Sequence, residues 1–104
     1  MLPMRGKAWI VKDRYGHEIY LTWERWSHIV EFHPEMEPFF EAMRRIVRTA
    51  RRRQDPLNPH KWFYVGWEVE GLQEWNNCIV VVVVLRPPKD RFVVTAYQDY
   101  IPRK

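Results

Sequence analysis

Two histidines, His28 and His33, are the residues best suited to proton transfer in this sequence. An imidazole titrates near neutral pH and can act as a general acid or base at a phosphate or acyl centre. The simpler interpretations are a solvent-facing His28 and a His33 that fixes a turn before Pro34 by hydrogen bonding. On an unbroken helix the two rings would point about 140° apart, because they are five residues apart. They can therefore meet only if the helix breaks before His33.

Six arginines within ten residues form the strongest charge feature: Arg44, Arg45, Arg48, Arg51, Arg52 and Arg53. Such a run is usually the solvated side of an amphipathic helix. It could instead contact a nucleic-acid backbone, because phosphate contacts dominate such binding. Aromatic residues from Trp62 to Trp75 could stack on bases, although aromatic residues in strands more often belong to the core. The net charge of +4 favours an anionic partner only weakly.

The sequence lacks the patterns of several other site classes. It has no His-x-x-x-His pair, no glycine-rich phosphate loop and no Gly-x-Ser-x-Gly motif, so we expect no metal, no cofactor and no serine nucleophile. Cys78, the single cysteine, lies within an apolar run and is expected to be buried and inert. No signal peptide and no membrane-spanning segment is recognisable, which predicts a soluble protein of the cytoplasm.

The elements that would position these residues are organised around Cys78–Leu85, which is apolar and mostly β-branched. This composition predicts a central strand with both faces covered. Residues 8–21 are expected to form a hairpin that turns at Gly16. Thr22 is a suitable N-cap for a helix from Trp23 to Phe32, and Pro34 ends that helix.

A second helix is expected from about Glu35 to Arg53, with its apolar stripe ending at Ala50 and its basic side formed by the arginine run. Residues 54–59 are predicted to be a loop, and residues 62–98 a three-stranded antiparallel meander. The order is then ββααβββ in one domain over residues 1–104, an α+β fold with two helices packed on an antiparallel sheet.

Three segments of the chain together resemble a known superfamily: Asp13-Arg-Tyr-Gly-His-Glu-Ile-Tyr-Leu-Thr22, then Glu24-Arg-Trp-Ser-His-Ile29, then His33-Pro-Glu-Met36. They are similar to the N-terminal half of phage-type BECR nuclease domains, which group barnase-like, EndoU-like, colicin-like and RelE-like ribonucleases. Val93-Val-Thr-Ala-Tyr97 resembles the closing strand of that superfamily. Members often carry arginine immediately before His-Pro-Glu, where this chain has Phe32.

The resemblance implies a metal-independent endoribonuclease, toxin-like or phage-related, that cleaves RNA through attack of the ribose 2′-OH. His28 would be the acid or base, with His33 in support, and Thr95 and Tyr97 would contact phosphate or assist proton transfer. Arg86 is our candidate for a phosphate clamp, with further phosphate contacts expected from Arg44 and Arg48.

The alternative is a non-catalytic RNA-binding or protein-interaction module of the same fold, because fold does not determine function. RNA is the expected partner in the catalytic case, and a toxin would also have an antitoxin or immunity protein. We expect a homodimer if the second face of the Val80–Val84 strand has no cover within one chain.

Overall fold

The computed structural model describes residues 6–103, which form one six-stranded mixed sheet and two α-helices. The elements in chain order are β1 (Lys7–Lys12), β2 (Glu18–Thr22), α1 (Trp23–Phe32), a 3₁₀ helix (Pro34–Phe39), α2 (Phe40–Thr49), β3 (Arg52–Asp55), β4 (Asn58–Trp67), β5 (Cys78–Arg86) and β6 (Asp90–Asp99). The strands lie side by side in the order β1-β2-β6-β5-β4-β3. The predicted α+β class is confirmed, and so is the internal position of the strand that begins at Cys78.

The first helix has the predicted boundaries. The side-chain oxygen of Thr22 accepts a hydrogen bond from the backbone N–H of Arg25 at 3.0 Å, which satisfies one of the free donors at the helix N-terminus. At the other end the N–H of His33 donates to the carbonyl of Ile29, and Pro34 begins the 3₁₀ helix. His33 therefore lies at the break between two helical segments.

The prediction of one helix from Glu35 to Arg53 is wrong at both ends. Its first part is a 3₁₀ helix that contains Pro38, whose missing N–H and ring disfavour a continuous α-helix. At the other end Arg52 and Arg53 belong to β3 and pair with Tyr64 and Phe63 of β4. Strand pairing across this hairpin overrides the good helix propensity of arginine. The predicted loop over residues 54–59 is largely part of these two strands.

The predicted three-stranded antiparallel meander over residues 62–98 is confirmed as β4, β5 and β6, and β3 adds a fourth antiparallel strand to it. β2 pairs with β6 in parallel, at Tyr20 and Phe92, so the prediction of a purely antiparallel sheet is wrong. The direction of this pair depends on the path of the whole intervening chain, which a local pattern does not show.

The two faces of β5 have different covers. Ile79, Val81 and Val83 belong to the main core, where both helices pack. Cys78, Val80 and Val82 belong to a second cluster, in which no described helical residue takes part; we call this side of the sheet the helix-free face. Side chains of the neighbouring strands and of the C-terminal segment pack over it: Phe63, Val65, Trp67, Tyr97 and Ile101.

The burial of this second cluster bears on two predictions, that of a buried Cys78 and that of a homodimer. Cys78 is fully buried, as predicted, and its burial raises the pKa of the thiol. Val80 and Val82 are each only 3% exposed within one chain. The reason given for expecting a homodimer therefore does not apply to these residues.

Candidate functional site

The helix-free face carries a series of aromatic rings, each with a basic side chain above it. The pairs are Lys7 over Tyr20 at 4.3 Å, Arg86 over Phe92 at 5.3 Å, Lys61 over Phe63 at 5.7 Å and Arg103 over Trp67 at 4.4 Å from the ring centroid. The register places the rings of β4 and β6 on this face, because they stand opposite Cys78, Val82 and Val84 of β5. Such rings can stack on bases while the cations contact phosphates.

Thr95 and Tyr97 lie on the same face. Each is opposite a buried valine of the second cluster, Val82 and Val80 respectively. A register shift between Val82 and Val83 inserts an extra residue into β6, and this lets Val93 face the main core although Thr95 does not. Burial, with smaller effects of Asp99 and Cys78, raises the pKa of Tyr97. Its phenol therefore stays protonated at neutral pH and can donate a hydrogen bond.

His33 lies next to Tyr97. The two ring centroids are 6.0 Å apart, and Nδ1 of His33 is 3.6 Å from Oε2 of Glu35. The helix break before His33 makes this approach feasible, since α1 runs beside β6 and the chain turns away at Pro34. The structure thus brings together two of the four predicted catalytic residues and adds a carboxylate beside the imidazole.

His28 lies on α1, which packs on the helix-covered side of the sheet through Ile29 and Trp26. It is exposed, and its ring stacks on that of Phe32, which is 72% exposed. At about 100° per residue, His28 and Arg25 lie to one side of the buried Ile29 and Trp26 lies to the other. Among the described residues, no hydrogen bond or ring contact joins His28 to Tyr97 or to its strand neighbour Thr95.

Arg25 was not among the predicted site residues. Its side chain lines a depression of about 150 Å³ together with Tyr20, Arg86 and Phe92, and it makes no salt bridge with any residue of the described chain. In the sequence, only its place within Glu-Arg-Trp-x-His could have identified Arg25 as a site residue, because an arginine on a helix usually faces solvent. Lys7 and Arg103 of the helix-free face likewise make no salt bridge with the described residues, and Glu24 also lines the depression.

The predicted phosphate contacts are distributed over two surfaces. Arg86 lies at the edge of the helix-free face, but its guanidinium donates to the carboxylate of Asp90, which also accepts a bond from Tyr20 at 2.7 Å. These two hydrogen bonds, that of Tyr20 first, lower the pKa of Asp90. Arg44 and Arg48 lie on α2, on the helix-covered side of the sheet, and are separated from the site by the sheet itself.

A second group of polar side chains surrounds the buried Asp13, next to Tyr64 of the main core. One oxygen of its carboxylate accepts the hydroxyl of Tyr64 at 2.5 Å, and the other accepts the backbone N–H groups of Tyr15 and His17 at 2.9 and 2.8 Å. Arg52 is 3.6 Å from this carboxylate and 3.1 Å from Nδ1 of His17. The group joins the β1–β2 turn to β3 and β4, which lie at the far edge of the strand order.

The Asp13 group is built for structure more than for catalysis. Both oxygens of the carboxylate already accept hydrogen bonds from within the chain, and the side chain is inaccessible to solvent. Burial, followed by the charge of Arg91, lowers the pKa of His17. No local signal predicts this group, because its members are up to 51 residues apart.

Other site classes find no support in residues 6–103. These residues contain no cluster of three or more His, Cys, Asp or Glu side chains arranged to hold a metal ion. None of the helices described is long and apolar enough to cross a membrane. Comparison of the chain with protein-family models, with curated proteins and with solved structures gave no match.

Proposed function

We propose that this chain binds single-stranded RNA on the helix-free face and cleaves it without a metal ion, by attack of a ribose 2′-OH on the adjacent phosphate. One observation carries the proposal. His33 and Tyr97, 6.0 Å apart, meet at the border of a sheet face that also bears four aromatic rings paired with cations. Groups for proton transfer and groups for holding nucleotides therefore share one surface.

The binding step uses stacking and charge together. Base stacking on a protein aromatic contributes about 1–3 kcal/mol per base and tolerates any sequence. The rings of Phe63 and Trp67 on β4 and of Phe92 on β6 lie on one face of the sheet, on either side of β5, with their cations above them. A duplex hides its bases from such a surface, so a single strand is the better substrate.

The chemical step needs a base, an acid and a stabiliser of the pentacoordinate phosphorane. We assign His33 as the base that takes the 2′-OH proton, with the carboxylate of Glu35 3.6 Å from its Nδ1. Tyr97, with its raised pKa, donates a hydrogen bond to a phosphate oxygen, and Thr95 offers a second hydroxyl on the same strand. His28, on the exposed side of α1, would protonate the 5′-oxygen, and Arg25, beside Tyr20 and Phe92, would supply positive charge.

The alternative is an RNA-binding module without catalysis, and a specific observation favours it. Among the described residues, neither a hydrogen bond nor a ring contact joins His28 to Thr95 or Tyr97, and Arg86 is already paired with Asp90. A binding module requires only the aromatic rings and the cations of the helix-free face. Toxin-like or phage-related biology, an antitoxin or immunity partner and a cytoplasmic location remain predictions that depend on the resemblance.

Incubation with mixed-sequence RNA in EDTA distinguishes the two functions. We expect the wild type to leave 2′,3′-cyclic phosphate ends, and His28→Ala, His33→Ala and Thr95→Ala to lose this activity. General acid–base groups typically contribute about 10²–10⁴-fold to the rate, so each histidine variant should fall by at least the lower figure. His60→Ala is the matched control, because His60 is exposed and lies on β4 away from His33.

If the wild type and all four variants bind the RNA equally and none of them cleaves it, the chain is the binding module and not the nuclease. Activity that survives in His33→Ala and in His28→Ala alike would refute the assigned roles.

A further inference from the structure

An arginine-rich groove lies beside β4, where that strand extends past the beginning of β3. β3 starts at Arg52, opposite Tyr64, so Val65, Gly66 and Trp67 continue beyond it. The groove has a volume of about 580 Å³ between these residues and the end of α2. Its lining includes a single carboxylate, Glu68, and six arginines: Arg14, Arg45, Arg51, Arg52, Arg53 and Arg103.

Most of this positive charge is uncompensated. Arg52 is close to the carboxylate of Asp13, but Arg45, Arg51 and Arg53 are exposed and make no salt bridge with the described residues. Like charges gathered on one surface repel one another, so an anion that neutralises several of them gains more than it would at an isolated arginine. The guanidinium group also matches the geometry of phosphate oxygens with two parallel hydrogen bonds.

The groove is continuous with the helix-free face. Phe63, Val65 and Trp67 pack on the second cluster and also line the groove, and the guanidinium of Arg103 stands over the ring of Trp67. A chain that leaves the helix-free face across Trp67 therefore enters the groove directly. The aromatic wall between the two surfaces favours a ligand that has bases as well as phosphates.

We propose that this groove binds the phosphate backbone of the RNA strand that continues beyond the nucleotides held on the helix-free face. The inference rests on the proposed function, because it extends the same RNA strand. It assigns to the protein a preference for long single strands over short oligonucleotides. An acidic polypeptide would satisfy the arginines but would have no bases to stack on Phe63 and Trp67.

The test compares two variants that lose the same charge. Arg51→Gln/Arg53→Gln removes two groove cations, and Lys12→Gln/Lys89→Gln removes two exposed cations that do not line the groove. Binding of a long mixed-sequence single-stranded RNA and of a trinucleotide is measured over a range of salt concentrations. Each phosphate contact to a single strand contributes about 0.7 to the slope of log K against log[salt], so the groove variant should lose about 1.4 for the long RNA.

Binding of the trinucleotide should be equal in both variants, because it occupies only the helix-free face. Long-RNA binding with the same affinity and salt slope in the two variants would overturn the groove while leaving the proposed function standing. A wild type that binds neither RNA would overturn both. Poly-glutamate that binds as tightly as RNA, and depends equally on Arg51 and Arg53, would overturn the choice of RNA.

Discussion

Replacement of Tyr64 by phenylalanine should destabilise the fold far more than loss of a single hydroxyl at the surface would. The ring of Tyr64 is fully buried in the main core, and its hydroxyl donates to the inaccessible carboxylate of Asp13. The substitution keeps the packing of the ring and removes this donor, together with the longer contact of 3.4 Å that Arg52 donates to the hydroxyl. Its effect therefore reports chiefly on the contact that closes the β1–β2 turn onto β4.

The magnitude follows from what is left behind. A hydrogen bond to a charged group contributes about 1.5–3 kcal/mol, and a buried acceptor that loses its donor does not recover the bond from water. Asp13 would keep the two backbone donors of the turn and Arg52 at 3.6 Å, so the carboxylate would stay partly satisfied. We expect a loss of about 2 kcal/mol in the free energy of unfolding.

The assay is urea unfolding at pH 7, followed by tryptophan fluorescence, with Tyr20→Phe as the control. Tyr20 also donates to a carboxylate, that of Asp90, but this carboxylate is partly exposed and water can replace the lost donor. We expect the control to lose less than about 1 kcal/mol. Hydrogen exchange adds a local readout, because the amides of Tyr15 and His17 donate to Asp13 and should exchange faster in Tyr64→Phe.

Equal losses in Tyr64→Phe and Tyr20→Phe would refute this reasoning. It would equally fail if the amides of Tyr15 and His17 kept their protection, because the turn would then be held by something other than Asp13.

Three further predictions test the fold. Gly66→Ala should lower the free energy of unfolding by about 1–3 kcal/mol, measured in urea, because its new methyl group would overlap the side chain of Ile46. Adding Ile46→Val to the same chain should recover part of this loss. Additive losses from the two substitutions would contradict the contact. Thr22→Ala should lower the free energy of unfolding by about 1 kcal/mol, because it removes the acceptor for the N–H of Arg25. Thr22→Ser keeps a hydroxyl and should lower it much less. Equal losses in the two variants would show that Thr22 is not a helix cap. The pKa of His17 is lowered on folding, so the unfolded chain takes up its proton first and stability should fall as the pH drops below about 6.5. His17→Gln should flatten this part of the stability curve, and an unchanged curve would show that another group controls it.

The elements that local chemistry governs were predictable. The helix from Trp23 to Phe32 needed only a capping threonine, a periodic apolar stripe and Pro34. The strand that begins at Cys78 needed only its run of β-branched residues. In both cases the determining interactions lie within a few residues of one another, so they are visible in the sequence.

The longer second helix could not be predicted correctly from the same kind of evidence. Arginine is a good helix former, and the run to Arg53 continued the pattern of α2. What decided the outcome was the backbone pairing of Arg52 and Arg53 with β4, which forms a hairpin at the edge of the sheet. Long-range hydrogen bonds of this kind outweigh differences in propensity of a few tenths of a kcal/mol per residue.

The candidate site also combines features that the sequence shows with features that only the folded chain shows. The sequence by itself determined which residues could move protons or bind phosphate, and period two alone placed Thr95 and Tyr97 on one face of a strand. Only the tertiary structure decided that His33 approaches Tyr97 and that Asp13 is held by Tyr64. Those pairs are 64 and 51 residues apart, and their meeting depends on the order of the strands in the sheet, including the parallel entry of β2 beside β6. Side-chain chemistry is a property of each residue, whereas convergence is a property of the packed chain.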